Sequence, residues 1–145
     1  MNKQLKLFAV IGVLSCLLSV VFGAFGAHAL KSALSESSMR VYQTAATYQT
    51  FHGLALISLA ALFSNLDDKC KSWGWIRASG YFFVFGLLLF CGSLYALALT
   101  EIKILGVITP LGGLAFILAW AFMLMALIFI PTKQLSSITT RDTDN

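Results

Sequence analysis

Residues 7–27 read LFAVIGVLSCLLSVVFGAFGA and carry no charged side chain. At about 1.5 Å per residue, a helix of this length crosses a hydrocarbon core of about 30 Å. A secretory signal peptide is the alternative, because Lys3 and Lys6 form a basic start and residues 27–29 resemble a cleavage site. The apolar region of such a peptide is normally about 7 to 15 residues long, which is shorter than this stretch. The stretch therefore predicts a transmembrane helix.

The composition places the rest of the chain in the same class. Of 145 residues, 59% are apolar and 11% are charged, and the mean hydropathy of +0.85 lies outside the usual range of soluble domains. The basic residues are scattered between apolar runs, so a nucleic-acid partner is not expected. The expected partner is the lipid bilayer. Three cysteines without CxxC spacing predict neither a metal site nor a cofactor.

Four apolar stretches predict an all-α, integral membrane four-helix bundle that forms one domain over residues 1–131. The helices are expected over residues 7–27, 36–64, 76–99 and 110–130. Ser35 is the expected N-cap of the second helix. Thr109 is the expected N-cap of the fourth, with Pro110 at its first position and residues 105–108 as an apolar connector. The polar tail, residues 132–145, is expected to be disordered.

The distribution of basic residues predicts the orientation. Seven lie on one side of the predicted spans and three on the other, and the side richer in lysine and arginine is normally cytoplasmic. The seven are Lys3, Lys6, Lys69, Lys71, Arg77, Lys133 and Arg141, and the three are Lys31, Arg40 and Lys103. Both termini are therefore predicted to be cytoplasmic.

Small residues recur along the first span at steps of four and three. They are Gly12, Cys16, Ser19, Gly23 and Gly26. In lipid, where helices have little hydrophobic drive to associate, such a stripe permits close backbone packing. We expect it to face a neighbouring helix.

The second helix carries the polar residues of greatest interest. Gln49 and His52 are three apart and share one face, and His52 lies near the middle of the membrane. A polar side chain at that depth needs a partner, so this face is expected to point into the bundle. Two interpretations stay open: these residues join helices by hydrogen bonds, or they form a binding site.

Four strings carry a resemblance to a known family. They are GAFGAHAL at residues 23–30, Tyr48-Gln49 followed by His52, GSLYALALT at residues 92–100, and GVITPLGG at residues 106–113. In order and spacing they resemble the YgdD-like family of small bacterial inner-membrane proteins. That family is described as a domain of unknown function with four helices, so the resemblance implies an inner-membrane location and adds no activity. Cys91 and Glu101 depart from the pattern, which has serine and glycine there.

The resemblance also implies a location for a candidate site. Its strings fall at outer helix ends or in outer loops, so their polar residues are expected to line one pocket that opens outward. The candidates are His28, Tyr48, Gln49, His52, Ser93, Tyr95 and Thr109.

Three classes of function are consistent with the sequence. The first is a structural or partner-binding membrane component that contacts either other membrane proteins or copies of itself. The second is a small oligomeric transporter or channel with a polar site around His52. The third is an intramembrane enzyme, for which the chain offers neither a GxSxG, an HExxH nor a P-loop motif and hence no catalytic residues.

Overall fold

The structure is a computed structural model that describes residues 2–130, which form four helices and no strand. The helices are α1 (Lys3–His28), α2 (Glu36–Leu62), α3 (Trp73–Thr100) and α4 (Leu105–Ile128). The expected all-helical fold is confirmed. The predicted polar tail lies outside the described residues.

Two helices begin at side-chain caps. Ser35 accepts a hydrogen bond from the Ser38 amide at 3.1 Å, as predicted for the N-cap of α2. Asn2 caps α1 in the same way through the Gln4 amide at 2.9 Å. The Asn2 amide also donates to the Asp68 carboxylate at 3.1 Å, so the start of α1 and the α2–α3 loop lie at the same end of the bundle.

The predicted start of the fourth helix is wrong. Helix α4 begins at Leu105 with Ile104 as its cap, and Pro110 lies inside it, so Thr109 is not an N-cap and residues 105–108 are not a connector. The cause is packing against α3: the hydroxyls of Thr109 and Ser93 are 2.8 Å apart. The Leu105 carbonyl lies 3.3 Å from the Thr109 hydroxyl, within the turn that precedes the proline.

Helices α2 and α3 lie at the centre of the bundle, with α1 packed mainly on α2 and α4 mainly on α3. The largest fully buried side chains gather toward the end that holds Asn2 and the α2–α3 loop. They are Leu5, Phe8, Leu56, Leu59, Phe63, Ile76 and Phe83. This apolar cluster holds the helices together below the polar contacts described next.

Helices α1, α3 and α4 are long and apolar enough to cross a membrane, whereas α2 is less apolar. However, α2 packs antiparallel to α1, from Tyr42 beside Gly26 to Gly53 beside Gly12. Its buried polar residues include Gln49 and His52, which face other helices. We infer from this packing that α2 crosses the membrane beside α1, because polar residues that face protein avoid the hydrocarbon.

Candidate polar site within the bundle

Gln49 joins three helices at the level of the middle of α1. Its side-chain amide donates to the Ser15 carbonyl on α1 at 3.2 Å, and its amide oxygen accepts from the Tyr95 hydroxyl on α3 at 2.7 Å. Because a carbonyl only accepts, the Ser15 contact fixes which end of the amide is the nitrogen. The Ser15 hydroxyl in turn donates a longer hydrogen bond of 3.4 Å to the main-chain carbonyl of Gln49. The expected burial of Gln49 is confirmed, with 7% of the residue exposed.

Tyr95 continues this contact toward the end of the bundle that holds the α1–α2 loop. Its ring packs edge-on against Phe22 of α1 and Tyr42 of α2, with ring centroids 5.2 and 5.0 Å away. The Tyr42 hydroxyl donates to the Phe22 carbonyl at 2.9 Å. Aromatic pairs at these distances add to the free energy of packing. Tyr95 is thus held on three sides, and it holds Gln49.

His52 lies in a different interface from Gln49. Its Nδ1 is 2.8 Å from the Tyr48 carbonyl one turn earlier, so Nδ1 carries the proton and Nε2 of the neutral ring is left as an acceptor. The imidazole stacks on Phe116 of α4 with ring centroids 3.5 Å apart and an interplanar angle of 11°. Like Gln49, His52 is buried as predicted, with 7% of the residue exposed. Its surroundings are aromatic, with the Tyr48 ring also near it at 5.7 Å.

The remaining candidates do not join either group. The Ser93 and Thr109 hydroxyls pair with each other between α3 and α4, where either can donate, and the Phe90 carbonyl lies 3.1 Å from the Ser93 hydroxyl. His28 lies exposed at the C-terminal end of α1. The structure therefore places six of the seven predicted residues in pairs at three helix interfaces, with His28 apart from them, rather than around one pocket.

Several polar contacts lay beyond the sequence prediction. Ser79 on α3 donates to the Ala119 carbonyl on α4 at 2.9 Å. Thr50 donates to the Ser19 hydroxyl at 2.8 Å and thereby ties α2 to α1. The available signal was the four-residue spacing of Ser15 and Ser19 on α1: Ser19 was interpreted only as a small packing residue, and Ser15 was not singled out. Across the described residues, no group of three or more His, Cys, Asp or Glu side chains is placed to hold a metal ion.

Four helices with paired polar side chains between them define a helical integral membrane protein. A family model described as "Protein of unknown function (DUF423)" matches residues 22–113, a range that contains all seven candidate residues. The chain belongs to this family, and the resemblance seen in the sequence is confirmed.

Curated relatives named UPF0382 membrane proteins support the assignment. One from Staphylococcus epidermidis is 41% identical over 84% of this chain and 95% of its own length. One from Staphylococcus haemolyticus is 42% identical over 84% of this chain and 95% of its own length. YwdK from Bacillus subtilis is 40% identical over 84% of this chain and 96% of its own length. No solved structure matches.

Proposed function

We propose that this chain is a structural, partner-binding component of the bacterial plasma membrane that assembles with a second copy of itself. The observation that carries the proposal is a polar stripe on the exposed side of α2, formed by Gln43, Thr44 and Thr47. This surface, the α2 stripe, faces away from the other helices of the bundle. Inside the bundle, Gln49 is hydrogen-bonded to Tyr95 and Ser93 to Thr109, which supports a structural role for these residues.

The depth of the α2 stripe makes it unusual. Residues 7–27 of α1 are free of charge, and their middle residue is Leu17. Ser15 contacts Gln49, so in these antiparallel helices Thr47 lies level with Leu17. Gln43 lies four residues, or about 6 Å, farther toward the outer surface. The stripe is therefore well inside a hydrocarbon core of about 30 Å.

Exposure of these groups to lipid costs free energy, because an amide in hydrocarbon loses its hydrogen bonds to water. Thr44 avoids the cost locally, since its hydroxyl donates to the Arg40 carbonyl at 2.9 Å. For the Gln43 amide, residues 2–130 provide no hydrogen-bond partner in the protomer. An amide both donates and accepts, so two copies related by a twofold axis can pair their glutamines and satisfy both.

Disulfide cross-linking in native membranes tests the proposal. In a chain whose three cysteines are replaced by alanine, Thr47→Cys is oxidised and the product is measured by non-reducing electrophoresis. Leu17→Cys is the matched control, since it lies at the same depth and is 59% exposed on α1. We expect a dimer band for Thr47→Cys and monomer for Leu17→Cys. A monomer in both would overturn self-association through the α2 stripe.

The same stripe favours one alternative function, a small oligomeric transporter. Three or more copies that turned their stripes toward a common axis would enclose a polar path, whereas a dimer buries the stripes against each other. Chemical cross-linking with a lysine-reactive reagent distinguishes them: a product that ends at the dimer supports the structural role. A ladder of trimers and larger products favours the transporter.

The location and topology are part of the proposal. The relatives of Staphylococcus and Bacillus are named membrane proteins, which supports the bacterial plasma membrane, the inner membrane where there are two. We also propose that residues 1–131 act as one four-helix domain with both termini in the cytoplasm. The basic asymmetry of the sequence supports that orientation.

A further inference from the structure

A cleft opens toward lipid between α1 and α3. The two helices contact each other through Phe8 and Tyr81 near one end and through Phe22 and Tyr95 near the other. Between these contacts lies a cleft of about 210 Å³, here called the lateral cleft. It is lined by Ile11, Leu14, Ser15, Leu18, Gln49, Val84, Leu87 and Leu88. Leu88 stands at its mouth and is 69% exposed.

The floor of the lateral cleft is polar, although its walls are apolar. Gln49 is more than nine-tenths buried and lines the cleft. Its amide oxygen accepts from Tyr95, and one of its two N–H groups donates to the Ser15 carbonyl. The second N–H has no acceptor within residues 2–130. Because Gln49 is one of the two polar residues that line the cleft, we infer that this N–H is available there as a hydrogen-bond donor among apolar walls, an arrangement typical of small-molecule sites.

The depth of this donor limits which molecules can reach it. Ser15 lies two residues from Leu17, the middle of the charge-free stretch, and hence about 3 Å from the membrane midplane. The ester carbonyls of glycerolipids lie at the boundary of the hydrocarbon core, about 15 Å from the midplane. An acceptor that reaches Gln49 must therefore belong to a molecule whose polar group travels inside the hydrocarbon.

We propose that the lateral cleft binds a lipid-soluble quinone, with one ring carbonyl accepting the free N–H of Gln49. A flat ring with carbonyl oxygens on an apolar chain meets both requirements, an acceptor at depth and an apolar body. The volume is adequate, since an apolar cavity of about 150 Å³ is enough to hold benzene. The ring lies between the side chains of α1 and those of Leu87 and Leu88. The site is independent of the α2 stripe, which faces away from it.

Binding of decylubiquinone to the purified chain in lipid nanodiscs tests the proposal, measured as the rise in melting temperature with quinone concentration. Leu88→Trp fills the mouth of the cleft without touching the hydrogen bonds of Gln49. Leu124→Trp is the matched control on α4, where the leucine is 58% exposed. We expect a saturable rise for the wild type and for Leu124→Trp, and none for Leu88→Trp. The proposed site would be wrong if the melting temperature of the wild type did not rise, or if it rose equally in the wild type and in Leu88→Trp.

The role of Gln49 needs its own comparison. Decylbenzene has the same decyl chain on a six-membered ring but lacks the carbonyls and the methoxy and methyl groups of decylubiquinone, and we expect it to bind about tenfold more weakly than the quinone. Gln49→Leu should weaken quinone binding by a similar factor and leave decylbenzene unchanged. If the two ligands bind equally to the wild type, the cleft takes an alkyl chain alone and the quinone assignment is wrong. The decylbenzene comparison decides the point even if Gln49→Leu fails to fold.

Discussion

At the scale of single residues, Gly12 and Gly53 bring α1 and α2 into backbone contact. A Cβ atom added at Gly12 would lie 2.6 Å from the Gly53 carbonyl oxygen, and one at Gly53 would lie 2.8 Å from the Cys16 sulfur. Atoms this close force the helices apart. Because close approach supplies the dispersion energy that binds helices in lipid, separation lowers stability directly.

Gly12→Ala should therefore lower the free energy of unfolding by about 1–3 kcal/mol, as overpacking does elsewhere. Gly23→Ala is the control in the same helix, since a Cβ there has no atom within 4 Å. It should leave stability unchanged or raise it by up to about 1 kcal/mol through helix propensity. Thermal melting of both variants in detergent measures the difference, and equal melting temperatures would contradict the assigned contact.

The spacing of small residues along α1 predicted much of the interface between α1 and α2 but placed its centre wrongly. Gly12, Ser19 and Gly26 are buried and Cys16 is partly buried, but Gly23 is exposed, so its place in the stripe was predicted wrongly. The buried face of α1 is rotated toward Phe8 and Ser15 because α1 packs on α3 as well as on α2. Periodicity along one helix gives the width of a stripe, whereas its direction depends on neighbours that are distant in sequence.

The same limit applies to Gln49 and His52. Their burial follows from the cost of polar groups in hydrocarbon. Their separation into two interfaces could not be predicted in this way. Gln49 is paired with Tyr95, which lies 46 residues away in the sequence. His52 is covered by Phe116 of α4, and the sequence had predicted a wrong start for that helix from Pro110.

At the scale of elements, α3 contains a π-helical segment, Leu87–Cys91, flanked by Gly86 and Gly92. The Gly92 amide there bonds the Leu87 carbonyl five residues earlier. Phe90 in this segment lies against Gly112 of α4, where an added Cβ would be 2.7 Å from the Phe90 Cα atom. Such segments often occur at functional sites, and Leu87 also lines the lateral cleft. An uninterrupted apolar run gives no sequence signal for it.

Gly112→Ala should accordingly destabilise the chain by about 1–3 kcal/mol, because the new methyl group meets backbone that cannot rotate away. Its neighbour Gly113 supplies the control: a Cβ there would be 3.7 Å from the Phe90 ring, an ordinary contact. Gly113→Ala should change stability by no more than about 0.5 kcal/mol. Chemical unfolding of the two variants in mixed micelles gives both values, and a milder effect at Gly112 than at Gly113 would refute the close approach.

The end of α3 explains one departure from the family pattern. Glu101 follows the helix with φ of 57°, a left-handed conformation that glycine adopts without cost. Its carboxylate accepts a hydrogen bond from Ser38 at 3.1 Å, beside the first turn of α2. A negative charge is stabilised at a helix N-terminus, which offsets the backbone strain of about 1–2 kcal/mol. Glu101 thus stands where the resemblance predicts glycine, and its side chain links the end of α3 to the start of α2.

At the scale of the whole molecule, the contacts between helices determine which surfaces are left for other molecules. With α2 and α3 at the centre, α1 leaves the lateral cleft on one side, while the gap between α2 and α4 is filled by His52, Tyr48 and Phe116. The number of helices was predictable from composition and hydropathy. Which pairs of helices pack closely was not predictable, because close packing depends on glycine contacts between segments that are far apart in the sequence.

Topology is the property of the whole molecule on which both proposals depend, since depth in the membrane was measured from α1. Asn2 contacts Asp68, so the basic residues near the N-terminus and those of the α2–α3 loop lie on one side. A reporter active only outside the cytoplasm should therefore be inactive when fused at Asn145 and active when inserted at Ser37, between α1 and the body of α2. Activity at Asn145 with none at Ser37 would show that the chain is inverted, which leaves the depths of Gln43 and Gln49 intact. The same result at both positions would mean that an even number of helices crosses the membrane between them, and the depth assigned to the α2 stripe would then fail.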